Sequence, residues 1–206
     1  MKEQRGFLVM LKLGLVLAFF AAAACVMLAF VYTGTEKIIT GRQQADMNAS
    51  LKELFPDADS FSEITNIVSP DPLVTIEIEY EATKGGVPIG AALRLSRASY
   101  GGPIKLLIGV TVDGSITGVK ILEHQDTPGL GANAASASYF VDRARGITFY
   151  GQFTGKKAGD PFDVGNDVQA ITDSTVTSRA VTAAVKAAGT GVVSWYRSTG
   201  TAGDEE

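Results

Sequence analysis

The chain has 206 residues, 46% hydrophobic and 19% charged, with a formal net charge of -4. Lys2, Arg5 and Lys12 against Glu3 give residues 1–12 a net +2, which leaves -6 for the rest. That acidic body has no clustered Lys or Arg and excludes a nucleic-acid partner, while one cysteine (Cys25) and one histidine (His124) exclude an internal disulfide, a cysteine-ligated cluster and a multi-histidine metal site.

Leu13 to Tyr32 is a run of twenty residues without a charge. At about 1.5 Å per residue it matches a hydrocarbon core of roughly 30 Å. Ala21–Ala24 imitates a cleavage site, but the apolar run continues from Val26 to Tyr32, longer than a signal peptide needs. The segment reads as a retained single-pass anchor. The positive residues at its amino end put residues 1–12 in the cytoplasm and the body on the periplasmic or extracellular side of the plasma (inner) membrane.

Residues 35–55 read as a helix leaving the membrane, and Asp57–Ser62 as a polar connection. From Leu73 to Glu81, Val74, Ile76, Ile78 and Tyr80 alternate with Thr75, Glu77, Glu79 and Glu81, which predicts a half-buried strand. Gly85-Gly86 makes a turn, and Val87–Leu95 is the partner strand. Tyr100-Gly101-Gly102-Pro103 is a break, Lys105–Val112 an apolar strand, Asp113-Gly114 a hairpin turn and Ser115–Leu122 the returning strand. The middle of the chain is therefore an antiparallel meander. Ala132–Arg143 reads as helical, Gly146–Gly165 as loop with short strand, and Val168–Ile171 as a short strand. The last helix puts Ala180, Val181, Ala184, Val185 and Ala188 on one stripe, with Gly189 able to end it. The resulting fold class is α+β: one membrane helix, then an antiparallel sheet packed by helices. The organisation is residues 1–34 for the cytoplasmic end and membrane helix, 35–70 a helical linker, 71–197 the functional domain and 198–206 a disordered acidic tail.

Two segments carry chemistry. Thr172, Ser174, Thr175, Thr177 and Ser178 cluster before the last helix. A helix start offers unpaired N–H groups and a positive dipole end, so these hydroxyls suit a held or attached phosphate. Ser and Thr are also ordinary capping residues. The second segment is Glu123-His124-Gln125-Asp126-Thr127-Pro128-Gly129-Leu130-Gly131, a stiffened and then glycine-opened turn suited to touching a flat ring with backbone groups. His124 by itself reads as a structural hydrogen-bonder ahead of a catalyst.

The run from Tyr100 to Gly131, with His124, Asp126 and Thr127-Pro128-Gly129-Leu130-Gly131, resembles the FMN-binding domain of the RnfG component of the Rnf electron-transport complex and its relative NqrC. Phe149–Gly155 and the single anchor fit the same family. The resemblance implies an electron-transfer subunit of a redox-driven ion-translocating complex (ferredoxin:NAD oxidoreductase). It implies FMN joined by a phosphoester to a threonine ending the motif [ST]-G-A-T. Thr172-Asp173-Ser174-Thr175 aligns with that motif, so Thr175 is the implied attachment residue. Thr172, Ser174, Thr177 and Ser178 are implied phosphate contacts. Thr127, Gly129 and Leu130 are implied ring contacts, and Glu123, His124 and Asp126 hydrogen-bond the cofactor or hold the loop. Partners implied are the other membrane subunits and a flavin transferase. No metal and no residue catalysis is expected. Asp173-Ser174 departs from the Gly-Ala pair, and Gln169 replaces an expected acid. That departure keeps noncovalent FMN, attachment at Thr177, an empty site, a flavin-free docking subunit and an anchored flavin reductase open as alternatives.

Overall fold

The computed structural model describes residues 2–200. The chain divides into two compact units, Met1–Asn48 and Ala49–Glu206. Helix α1 runs from Lys2 to Leu54 without interruption, joining the expected membrane segment to the expected linker helix. No proline breaks it. Its stretch from Met10 is long and apolar enough to cross a membrane, and none of its most apolar window is buried. Beyond the apolar run, Thr33, Thr35 and Thr40 donate their hydroxyls to the carbonyls of Ala29, Val31 and Glu36 at 2.8–3.0 Å, so these polar side chains are satisfied within the helix.

The second unit is built on a five-stranded antiparallel sheet in sequence order: β1 (Ser60–Ile64), β2 (Val74–Lys84), β3 (Val87–Ala98), β4 (Pro103–Thr111) and β5 (Ile116–Glu123). The meander is as expected, with one added strand and register slips in the β2–β3 and β4–β5 pairs. β1 takes part of the segment read as a polar connection. It is a short edge strand in which Phe61 and Ile64 are half-buried and Ser60 meets Thr83 hydroxyl to hydroxyl at 2.7 Å, so no apolar alternation marks it. In β2 the pairing slips between Ile76 and Ile78. That bulge moves the side-chain alternation by one. Glu79 and Glu81 then oppose Leu93 and Ala91, and Tyr80 opposes Ala92.

Past β5 the chain forms a 3₁₀ turn (Gly131–Ala135), a small hairpin of β6 (Phe140–Asp142) and β7 (Ile147–Thr148), and a second 3₁₀ turn (Gly151–Phe153). The helix expected over Ala132–Arg143 is thus corrected. Ser136 turns extended after the 3₁₀ segment, and its Oγ accepts from the N–H of Ser138, a local bond that competes with helix. The strand expected over Val168–Ile171 reduces to one bridge, Val164 to Val168. The N–H groups of Gln169 and Ile171 go instead to the side chains of Gln152 and Ser178.

Helix α2 (Thr175–Ser198) closes the unit. It does not stop at Gly189. That glycine and Gly191 are close-packing positions: a Cβ there would lie 3.1 Å from Ala158 and 3.0 Å from the Val68 carbonyl. The tail expected over 198–206 starts inside α2's last turn, and residues 201–206 lie outside the described residues. α2 lies along β3 and β4. Its stripe of Ala180, Val181, Ala184, Val185 and Ala188 buries against Leu93, Leu95, Leu106, Ile108 and Ile116, with Phe149, Phe153 and Tyr196 filling the flanks. The opposite face of the sheet is paved with Ala82, Gly90, Ala92, Gly109 and Gly118. There Leu54 and Phe55 press on the glycines so closely that an added Cβ on Gly90 would sit 2.7 Å from the Phe55 ring and one on Gly118 2.8 Å from Leu54.

Candidate functional site

The start of α2 is a compact knot of hydroxyls. Ser178 is fully buried, and its Oγ accepts from the Ile171 N–H at 2.9 Å and donates to the Ser174 carbonyl at 2.9 Å. Ser174 Oγ, also buried, donates to Thr177 Oγ1 at 3.1 Å rather than accepting from a backbone N–H. The first three N–H groups of the helix therefore lack both a carbonyl and a side-chain cap. Asp173 precedes them with φ +57°. That is the left-handed region where glycine is the default and Asp is among the better-tolerated side chains. The tight backbone that a glycine would favour at 173 is thus adopted by an aspartate, which leaves a carboxylate beside the helix start.

The loop that follows β5 is held in place by Asp126. The buried Asp126 carboxylate accepts from Ser99 Oγ at 2.8 Å and from the Gly101 N–H at 2.7 Å. Thr127 takes two N–H groups on its carbonyl, from Leu130 and Ala132, and Gly129 turns at φ +79°. Gly131 then touches α2: a Cβ there would lie 2.6 Å from Thr177 Oγ1 and 2.7 Å from Asp126 Cβ. No larger residue permits this contact.

Between loop and helix lies a cavity of about 500 Å³, within the range of small-molecule sites. Of the residues expected at a site, it gathers Asp126, Thr127, Leu130, Ser174, Thr175 and Thr177. It adds Tyr100 and Val176, for which the sequence alone assigns no contact, together with Gly131 of the glycine-opened turn and Asp173 beside the expected phosphate position. The lining contains no Lys or Arg. Thr175 is exposed, unlike Ser174, Thr177 and Ser178.

Other expected contacts lie elsewhere. Ser178 is committed inward. Thr172 is exposed and outside the lining, its N–H donating to the Tyr139 hydroxyl at 3.2 Å. Gly129 sits at the exposed tip of its turn, its carbonyl taken by Asn133 at 2.8 Å. Glu123 and His124 line a separate groove with Pro103, Lys105, Leu122 and Gln125. There Lys105 pairs with Glu123 at 2.8 Å, and that hydrogen-bonded carboxylate holds the ammonium above its ordinary range. His124 Nδ1 is buried there without a hydrogen-bond partner.

The FMN-binding domain family matches residues 99–190, and the RnfG N-terminal region matches residues 1–54. The RnfG-type component of the proton-translocating ferredoxin:NAD(+) oxidoreductase complex of Clostridium ljungdahlii is 35% identical over 169 residues, covering 79% of this chain and 80% of that protein. Its counterpart in the Na(+)-translocating ferredoxin:NAD(+) oxidoreductase complex of Acetobacterium woodii is 31% identical over 202 residues, 89% of this chain and 92% of that protein. The corresponding component of the ion-translocating oxidoreductase complex of Shewanella baltica is 33% identical over 189 residues, 86% of each chain. Among solved structures, the crystal structure of Shewanella oneidensis NqrC aligns with 59% of this chain and 65% of its own, at 16% identity and a TM-score of 0.42.

Proposed function

Given that the chain belongs to the RnfG family of ion-translocating oxidoreductase complexes, we propose that it is the subunit that carries FMN on Thr175, through a phosphoester, as an electron relay. The observation that carries this reading is the exposure of Thr175 at the cavity while its neighbouring hydroxyls Ser174, Thr177 and Ser178 are buried and bonded to one another or to backbone.

The residues fit the group. The lining divides into polar groups, with Ser174, Thr175 and the uncapped N–H groups of α2 among them, and the apolar side chains of Tyr100, Leu130 and Val176. FMN has the same division into phosphate and ring. When bound, the flavin supplies reversible electron storage that no side chain offers. The N–H groups of α2 stabilise the phosphate charge. Asp126 holds the loop, and Thr127 and Leu130 wall the ring end. Asp173 opposes the phosphate with its own charge, and an ester to Thr175 would retain the flavin against that repulsion.

Helix α1 anchors the subunit, with residues 1–12 in the cytoplasm and the FMN domain on the other side of the membrane. A flavin transferase forms the ester. Between Leu13 and Tyr32 there is no Asp, Glu, Lys, Arg or His, so translocation of Na⁺ or H⁺ belongs to partner membrane subunits. A second reading, a flavin-free docking subunit, is favoured by the Asp173 carboxylate and by the lack of a cation in the lining.

The test is flavin fluorescence in a denaturing gel, on protein coexpressed with a flavin transferase. Wild type and Thr177→Ala are expected to fluoresce, and Thr175→Ala to be dark. A dark, colourless wild type would bring the flavin-free reading forward.

A further inference from the structure

We infer that Tyr100 is the aromatic face of the flavin site: its phenol ring lies against the ring of FMN, orients it and shields it. This rests on the proposed FMN reading and adds to it a residue 75 positions from the attachment threonine.

Tyr100 lines the cavity while being 77% exposed, the residue expected of a wall waiting for a ligand. A large aromatic left in water on a mobile loop would be unremarkable, but this one stands on a fixed turn. The Ser99 N–H donates to the Gly102 carbonyl at 2.8 Å, closing the turn around it. Asp126 grips the turn on both sides of Tyr100, through Ser99 Oγ and the Gly101 N–H. Gly101 lies so close to the next loop that a Cβ would be 2.2 Å from the Gln125 carbonyl. The carboxylate that fixes this turn also lines the cavity, so the loop wall and the aromatic wall move as one piece.

The rest of the mouth is consistent. Leu130 (40% exposed) and Val176 (54% exposed) are the other apolar side chains of the lining. Together with Tyr100 they are the exposed apolar part of a lining whose other side chains are polar. Burying an aromatic face against another yields stacking energy beyond the area removed from water. A planar ring of FMN satisfies these apolar side chains in a way a sugar or a free phosphate does not.

The consequence is measurable without turnover. A phenol in contact with a photoexcited flavin donates an electron to it transiently and takes the electron back, so the emission is lost. A phenylalanine ring is too poor a donor to do this, and an indole does it well. The native full chain in detergent is therefore expected to emit weakly, and denaturation to restore the emission. Tyr100→Phe and Tyr100→Ala are expected to emit several-fold more per flavin in the native state, with Tyr100→Trp remaining dim. Flavin content is normalised on the denaturing gel. Equal flavin content with native emission unchanged in Tyr100→Phe and Tyr100→Ala overturns this inference and leaves Thr175 attachment standing. A wild type with no bound flavin at all overturns both. If Tyr100→Ala fails to accumulate, Tyr100→Phe, which keeps the ring, decides by the same criterion.

Discussion

The two walls of the cavity are built in opposite ways. The α2 wall is local: Ile171, Ser174, Thr177 and Ser178 bond to one another within eight residues of chain. The loop wall is assembled at a distance: Asp126 reaches back 27 residues to Ser99 and 25 to Gly101. The local wall uses up its buried hydroxyls in holding its own shape, and of the two left exposed, Thr172 and Thr175, only Thr175 lines the cavity. Five hydroxyls in a row look equivalent on paper. In the fold, Ser178 is a bracket, Ser174 and Thr177 are a pair, Thr172 lies outside the cavity, and Thr175 is exposed at it.

The contrast is broken most severely at Asp126. Asp126→Ala removes a buried acceptor from two donors and leaves Ser99 Oγ and the Gly101 N–H unpaired, a loss of about 3 kcal/mol. Thermal denaturation of the full chain in detergent should show the midpoint falling by several degrees. The same variant frees the Tyr100 turn, so native flavin emission should rise with it. An unchanged midpoint would mean that the loop wall stands without its distant anchor.

Ser178→Ala attacks the local wall alone. It strips the Ile171 N–H of its partner in a buried place, with an expected cost of about 2 kcal/mol. It should lower the midpoint while leaving native emission per flavin unchanged, because the Tyr100 turn is not touched. A rise in emission equal to that of Asp126→Ala would show that the two walls are coupled.

The smallest effect is expected at Asp173, and it separates charge from backbone. Asp173→Gly relieves a left-handed residue but gives back unfolded-state entropy, so stability should change by less than about 1 kcal/mol. Flavin per protein on the denaturing gel should rise, since a carboxylate beside the phosphate is gone. Asp173→Asn keeps a side chain that tolerates positive φ and should raise it equally. A gain in glycine without one in asparagine would identify the backbone, not the charge, as the obstacle to attachment.

Much of this was readable in advance where the physics is local. The twenty uncharged residues, the alternation of β2 and the glycine turns specify α1 and the meander, because each signal lies within the element it defines. The bulge at Glu77 was hidden, since a register slip shows only against the partner strand. β1 was hidden because its pairing with β2, not its own composition, makes it a strand. The helix expected after Ala132 failed to Ser136 and Ser138, whose short side chains bond locally. At the site, the place of Tyr100 and the contact that requires Gly131 went unread for a common reason. Tyr100 reaches the cavity through Asp126, and Gly131 is required by Thr177, 46 positions later in the sequence. Only the second glycine of the Pro128–Gly131 turn gave a signal in the sequence, and nothing in it said what the glycine would touch.

The order of the strands has a consequence for how the subunit is made. Every strand of the five-stranded sheet pairs with its sequence neighbour, so that sheet is complete once Glu123 has been synthesised. Its cover, α2, is the last element and ends at Ser198. At ribosomal speeds of about 5–20 residues per second, Leu93, Leu95, Leu106 and Ile108 stand bare for roughly 4–15 s on the growing chain. A chain cut short after the sheet presents a finished apolar surface with no lid, a ready substrate for holding chaperones and for proteases. The same order makes Thr175 a late residue. Its surroundings exist only when the domain has closed, so the proposed attachment of FMN there would report a finished subunit.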